Sequence, residues 1–183
     1  AQALINTHLA AAAAMIGWLI VEKIKGGHPT TLGAASGAVA GLVAITPCAG
    51  FVGGVSPIII GFAAGVICFL AIQLKFKFGY DDSLDVIAVH LVGGILGSIL
   101  LGVFADTKVN ALGFDGLLFG GSELLVNQLI AVGATIAFSG IMSFILAKII
   151  DAVIGLRITP DQEDEGMDQT LHSEAAYALG GRI

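Results

Sequence analysis

Five long apolar runs, broken only by short polar stretches, decide what this chain can fold into. They cover about residues 4–21, 29–45, 57–74, 84–105 and 124–153. Hydrocarbon offers a backbone no water to bond, so a run of this kind closes its N–H and C=O groups on itself as a helix. Composition agrees: 56% of the residues are hydrophobic and 12% charged, against roughly a quarter charged in a soluble domain. Twenty-six glycines with no Gly-X-Y period exclude collagen and suit helices whose backbones approach closely. The expectation is an all-α membrane protein, a polytopic transmembrane helix bundle over residues 1–157, followed by a polar tail over 158–183.

The runs differ in kind. The first is alanine-rich, with Trp18 near its end as an interfacial anchor. The strictly apolar part of the second, 32–45, is closed by Pro47 and covers only about 21 Å of a hydrocarbon core of about 30 Å. Residues 29–31 extend it, or it ends in a vestibule within the protein. Pro57 opens the third run at a first-turn position that tolerates it. Gly37 and Gly41 form a GxxxG on the second, a packing motif. The fifth is long enough to tilt or to project from the membrane.

Charge sets an orientation. Lys23 and Lys25 follow the first run, Lys75 and Lys77 the third, and Lys148, Arg157 and Arg182 lie at or beyond the end of the fifth, so that only Lys108 of the eight basic residues falls on the other side. The positive-inside rule makes the lysine-rich side cytoplasmic, with the chain starting outside and ending inside. The net charge of −6 is largely a property of the tail, where Asp161, Glu163, Asp164, Glu165, Asp168 and Glu174 lie close together. The chain opens almost directly into its first apolar run, without a basic leader, and is expected to be the C-terminal part of a longer polypeptide.

Several function classes fall away. No basic cluster with interleaved aromatics supports nucleic-acid binding. No GxSxG, Walker A, HExxH or dinucleotide-binding glycine motif is present, and no cofactor is implied, so the chain does not read as an enzyme. Cys48 and Cys68 lie in apolar surroundings without metal spacing and read as small packing residues.

Ionisable groups inside apolar runs are the natural functional candidates. His90, in DVIAVHLVGG, is the outstanding one. Its helical neighbours are Val86 and Ile87 on one side and Gly93, Gly94 and Gly97 on the other. A buried histidine hydrogen-bonded to a neighbouring helix and a pore-lining neutral imidazole, donor at one nitrogen and acceptor at the other, both fit this helix. His8 and His28 read as interfacial residues and His172 belongs to the tail. Asp81, Asp82 and Asp85 surround the start of the fourth helix, with Asp82 or Ser83 as its cap. Thr46, just before Pro47, is a helix-end hydroxyl or an acceptor in an outer vestibule.

Three blocks in order complete the pattern: GAASGAVAGLVAITPCAGFV (33–52), DDSLDVIAVHLVGGILGSILLGVFA (81–105) and GLRITPDQEDEGMDQTLHSEAAY (155–177). Together they resemble the ammonium transporter family, Amt/Mep/Rh, over essentially the whole chain. The resemblance implies an eleven-helix protomer with an inverted five-plus-five repeat, assembled as a homotrimer in the plasma membrane with one pore per protomer. This chain then corresponds to helices seven to eleven and the cytoplasmic tail. His90 matches one of the family's paired pore histidines, Val86 an apolar pore-lining position, and Thr46 a residue near the outer ammonium-recruitment site. Gly166, Asp168, His172, Glu174 and Tyr177 match a regulatory tail, and PII-type signal proteins are the expected partners at the cytoplasmic face.

The implied function is passage of ammonium or ammonia through an apolar, histidine-lined pore, with deprotonation of ammonium at or near it. A non-transporting ammonium sensor and an Rh-type channel for ammonia or carbon dioxide are the alternatives. Two departures stand out. Leu91 follows His90 where the family has glycine, and Ser173 separates His172 from Glu174 where the family has glycine, a position whose backbone shape serine disfavours.

Overall fold

A computed structural model describes residues 1–175 of the chain, and among the described residues it is helical with no strand. Long helices span Gln2–Gly26 (α1), Thr31–Ile45 (α2) and Ser56–Phe78 (α3). A π-helical turn, Ile87–Val92, runs directly into α4, Gly93–Phe104. A single 3-10 turn, Leu117–Phe119, precedes α5, Glu123–Val153, and two short helices follow, α6 at Pro160–Glu165 and α7 at Met167–His172. Four of these stretches are long and apolar enough to cross a membrane: α1, α3, the π turn with α4, and α5. Helix α2 is shorter, at 15 residues, or about 22 Å.

Local chemistry explains the boundaries. Thr30 caps α2 by accepting the Gly33 N–H at 2.8 Å. Its own N–H and hydroxyl donate to the Glu22 carboxylate at 3.1 and 2.7 Å, so the acid on α1 ties down the start of the next helix. Pro57 occupies the first turn of α3, where no N–H is needed. Gly79 ends that helix at φ 68, returning its N–H to the Lys75 carbonyl at 2.8 Å.

The chain divides into two compact units, residues 1–134 and 135–183. In the first, α1 is gripped from two sides. A Cβ at Gly61 would run into the Ala10 backbone, and one at Gly65 into the Ala14 carbonyl. From the other side, Gly41 abuts the Ala10 carbonyl and Gly37 the Trp18 side chain. The pairings Ala10 with Gly61 and Ala14 with Gly65 make α1 and α3 parallel; those of Trp18 with Gly37 and Ala10 with Gly41 make α1 and α2 antiparallel. Gly93 beside Val43 and Gly97 against the Ala44 carbonyl make α2 and α4 parallel in turn. Short as it is, α2 therefore reverses the chain like the longer helices, which is the geometry of a polypeptide threading back and forth.

Trp18 does not sit at an interface. It is 3% exposed and meets Phe69 edge-on with ring centroids 5.5 Å apart, because α3 runs alongside α1 at that level and covers the indole. Cys68 and Val89 join it in a small core cluster. Cys48 is wholly buried and its thiol donates to the Gly97 carbonyl at 3.2 Å, which is the packing role its surroundings suggest.

Among the described residues, Asn6 is the one large polar side chain sealed in the core. It is 1% exposed, donates to the Ala49 and Val52 carbonyls at 2.9 and 2.6 Å, and accepts from Gln2 at 3.0 Å. It thereby pins the 46–55 loop onto α1. Asn6→Leu keeps the branched outline but strands the buried Val52 carbonyl and the half-buried Ala49 carbonyl, a loss of about 2 kcal/mol at about 1–3 kcal/mol for an unsatisfied buried group. The expected result is a lower thermal midpoint for the detergent-solubilised protein; an unchanged midpoint refutes the clamp.

In the second unit, Thr159 and Gln162 form a reciprocal capping box at the start of α6. Arg157 pairs with Glu163 at 3.2 Å on an exposed surface. Gly166, at φ 104, links α6 to α7.

Candidate functional site

The approach to His90 begins at the end of α3. Lys75 donates to the Asp85 carboxylate at 2.6 Å and to the Asp82 carbonyl at 3.1 Å. The Asp82 carboxylate accepts from Val86 and Ile87 N–H at 2.8 and 2.9 Å, capping the helix as its position suggests. The helix begins at Val86 rather than Leu84, since Asp85 takes a left-handed φ of 56 and breaks the helical path there. From this capped start the π turn carries Ala88 and Val89 into the core and leaves His90, Val86 and Leu91 exposed.

No hydrogen bond joins the His90 ring to another described residue. Val86 is 48% exposed and Leu91 47%, so the imidazole stands in an apolar strip with both nitrogens available. Leu91 points away from the packed side of the helix and displaces no core residue. Nearly two turns beyond His90, the helix is pressed against α2: Gly97 abuts the Ala44 carbonyl and receives the Cys48 thiol.

Thr46 is exposed at the end of α2 and its hydroxyl donates to the Leu42 carbonyl at 2.7 Å. That bond uses its only proton and leaves the oxygen free to accept. Gly97 lies level with Ala44, which puts Thr46 and His90 on the order of 13 Å apart along the helix direction. They belong to two stations rather than one cluster.

Sequence reasoning did not single out a third locality. The loop 105–122 folds back on the 46–55 loop, with the Asp106 N–H on the Phe51 carbonyl at 2.9 Å. It frames a cavity of about 390 Å³ lined by Phe114, Asp115, Ser122, Glu123 and Asn127 among others. The Thr107 backbone N–H, donating to Asp115 at 2.8 Å, together with the Thr107 hydroxyl holds that carboxyl below the usual range. The lining comes partly from the loop and partly from the first turns of α5, and no spacing in the sequence announces it.

Of the tail residues, Gly166, Asp168, His172 and Glu174 are gathered around α7. The Glu174 N–H bonds the Asp168 carbonyl at 3.0 Å. Ser173 adopts φ 54, the left-handed shape that glycine takes without cost. Tyr177 lies outside the described residues. Among the described residues, no group of His, Cys, Asp and Glu is arranged to hold a metal ion.

Apolar helices threading back and forth, packed through small residues, define a polytopic helical membrane protein. The sequence profile of the Ammonium Transporter Family matches residues 1–177, and the chain belongs to that family. It is 49% identical to the ammonium transporter of Bacillus subtilis over 176 residues, covering 96% of this chain and 44% of that protein. To the ammonium transporter Amt1 of Archaeoglobus fulgidus it is 46% identical over 176 residues, again 96% of this chain and 44% of the relative. The crystal structure of Saccharomyces cerevisiae Mep2 superposes with a TM-score of 0.82 at 35% identity, covering 87% of this chain and 37% of that one. The chain thus spans well under half the length of the relatives it matches.

Proposed function

We propose that the protein to which this chain contributes moves ammonium or ammonia across the plasma membrane, and that His90 lines its pore. The observation that carries the reading is the His90 ring, exposed on an apolar strip of a membrane-length helix. Lipid penalises an ionisable ring, which favours a polar passage over acyl chains as the surroundings of that strip. Relatives named as ammonium transporters supply the cargo.

The chemistry follows from what the strip offers. A hydrated cation loses its water shell on entering an apolar constriction, at a cost that grows as polarity falls. Potassium has no escape from that penalty. Ammonium has one: it can leave a proton behind and cross as neutral ammonia, which both accepts and donates hydrogen bonds. A neutral imidazole matches that molecule with one acceptor and one donor nitrogen, while Val86 keeps the surroundings dry. Thr46, with an oxygen free to accept, receives the N–H of an ammonium ion at the opposite end of the helices.

Lys23, Lys25, Lys75 and Lys77 place the ends of α1 and α3 in the cytoplasm under the positive-inside rule, and the C-terminus with them. The segment around Gly166, Asp168, His172, Glu174 and Tyr177 then regulates transport from that side in a homotrimer, whose cytoplasmic face is the docking side for a PII-type signal protein.

The decisive experiment uses the full-length protein in proteoliposomes. Uptake of labelled methylammonium should saturate and be competed by ammonium but not by potassium. Uptake no greater than in empty vesicles overturns the reading and favours a sensor on the same scaffold.

A further inference from the structure

The π turn that presents His90 is held between two anchors. On its far side, Gly97 is pressed against the Ala44 carbonyl and held by the Cys48 thiol. On its near side lies an arrangement that crosses from one helix to another. Lys75, on α3, binds the Asp85 carboxylate and the Asp82 carbonyl together. Asp82 in turn holds the first two N–H groups of the following helix. Asp85 is one of two non-glycine residues with positive φ among those described, a backbone state that L-residues avoid unless their surroundings enforce it.

These features belong together. A π turn carries one residue more than an α turn, so it re-aims everything on one side of it by about 100° relative to the other. With Gly97 fixed, the direction of residue 90 depends on what fixes the start of the helix. The Lys75–Asp85 pair is mostly screened from solvent, with side chains 18% and 26% exposed, and it holds Asp85 in its left-handed state. Without it, Asp85 can relax into the ordinary right-handed region, the helix can start earlier, and the π turn can unwind to α geometry. His90 then swings off the strip it shares with Val86.

Resting on the reading of His90 as a pore residue, we infer that Lys75, Asp85 and Asp82 are positioning residues, a clamp that sets the π register and thereby aims the His90 ring. The clamp touches no cargo and acts only through the backbone that carries the imidazole. Charge alone is insufficient for this role, since Lys75 must reach a carboxylate and a carbonyl three residues apart at once.

Two readouts on the full-length protein separate the clamp from the pore assignment. In the first, Lys75→Met should lower the maximal rate of methylammonium uptake at least tenfold, leave the half-saturating concentration within about twofold, and be rescued by Lys75→Arg. In the second, His90→Cys, with the buried Cys48 and Cys68 kept and the protein lacking that substitution as the labelling control, reports direction through its rate of modification by a small methanethiosulfonate, and adding Lys75→Met should change that rate at least fivefold. Should Lys75→Met fail to assemble, Asp85→Asn serves in its place, because asparagine tolerates the left-handed state while losing the ion pair. A changed labelling rate with unchanged uptake keeps the clamp and removes His90 from transport. An unchanged labelling rate overturns the clamp, whatever uptake does.

Discussion

Replacing His90 with leucine in the full-length protein reduces methylammonium uptake in proteoliposomes at least tenfold, while the protein still elutes as a single folded species. Leucine fills a similar volume and favours a helix. It changes no packing among the described residues, because His90 is exposed there and makes no hydrogen bond to another of them. What it removes is the pair of ring nitrogens. If each offers the crossing molecule a hydrogen bond worth about 1 kcal/mol net, losing both costs about 2 kcal/mol, and each 1.4 kcal/mol or so is a factor of ten in rate. A larger drop would mean that the ring also handles the departing proton. Glutamine, which retains a donor and an acceptor but cannot titrate, should then keep more uptake than leucine at every pH. Uptake within twofold of wild type for His90→Leu removes the imidazole from the pathway, and the exposed strip would need another explanation.

What the sequence reveals here, and what it hides, follows from the range of each interaction. The long helices are legible because lipid demands unbroken apolar runs, and their caps because Thr30, Pro57, Gly79 and Asp82 act on their own neighbours. The π turn is not legible: IAVHLV (87–92) contains no glycine or proline to mark a deviation. Its register comes from Lys75 on another helix and from a left-handed Asp85, and neither has a signature in local composition. Asn6 is hidden for the same reason, since its partners, the Ala49 and Val52 carbonyls, lie more than forty positions away. Trp18 misleads because an aromatic residue near a helix end is as compatible with a neighbouring helix as with a headgroup layer. Ser173 shows the opposite case, where a single residue type flags a backbone shape and the shape is found at φ 54. His90 itself could be picked out by type alone, whereas its direction depends on tertiary contacts.

The crossing of α1 and α3 should be the most sensitive packing site in the first unit, and Gly65→Leu should lower stability there by about 3 kcal/mol, at the upper end of what overpacking usually costs. Gly61 and Gly65 stand four apart and face Ala10 and Ala14, also four apart, on a parallel neighbour. Two backbones meet there with no side chain between them. In membranes, where apolar burial supplies little drive, such contact is a main source of helix association. A side chain at Gly65 would meet the Ala14 carbonyl and the Trp18 backbone nitrogen rather than flexible atoms, so the helices must move apart along their length. The damage would spread, because α3 also carries Cys68, which packs with Val89, and Lys75, which holds the start of the π turn. Loss of uptake should therefore accompany loss of stability. Gly26→Ala is the control: a Cβ there meets nothing within 4 Å, and its effect should stay within about 0.5 kcal/mol. Equal shifts in thermal midpoint for the two variants would mean that glycine matters here for the chain in general and not for this crossing. A large shift confined to Gly65 identifies the glycine–alanine seam as the contact on which the position of the pore helix depends.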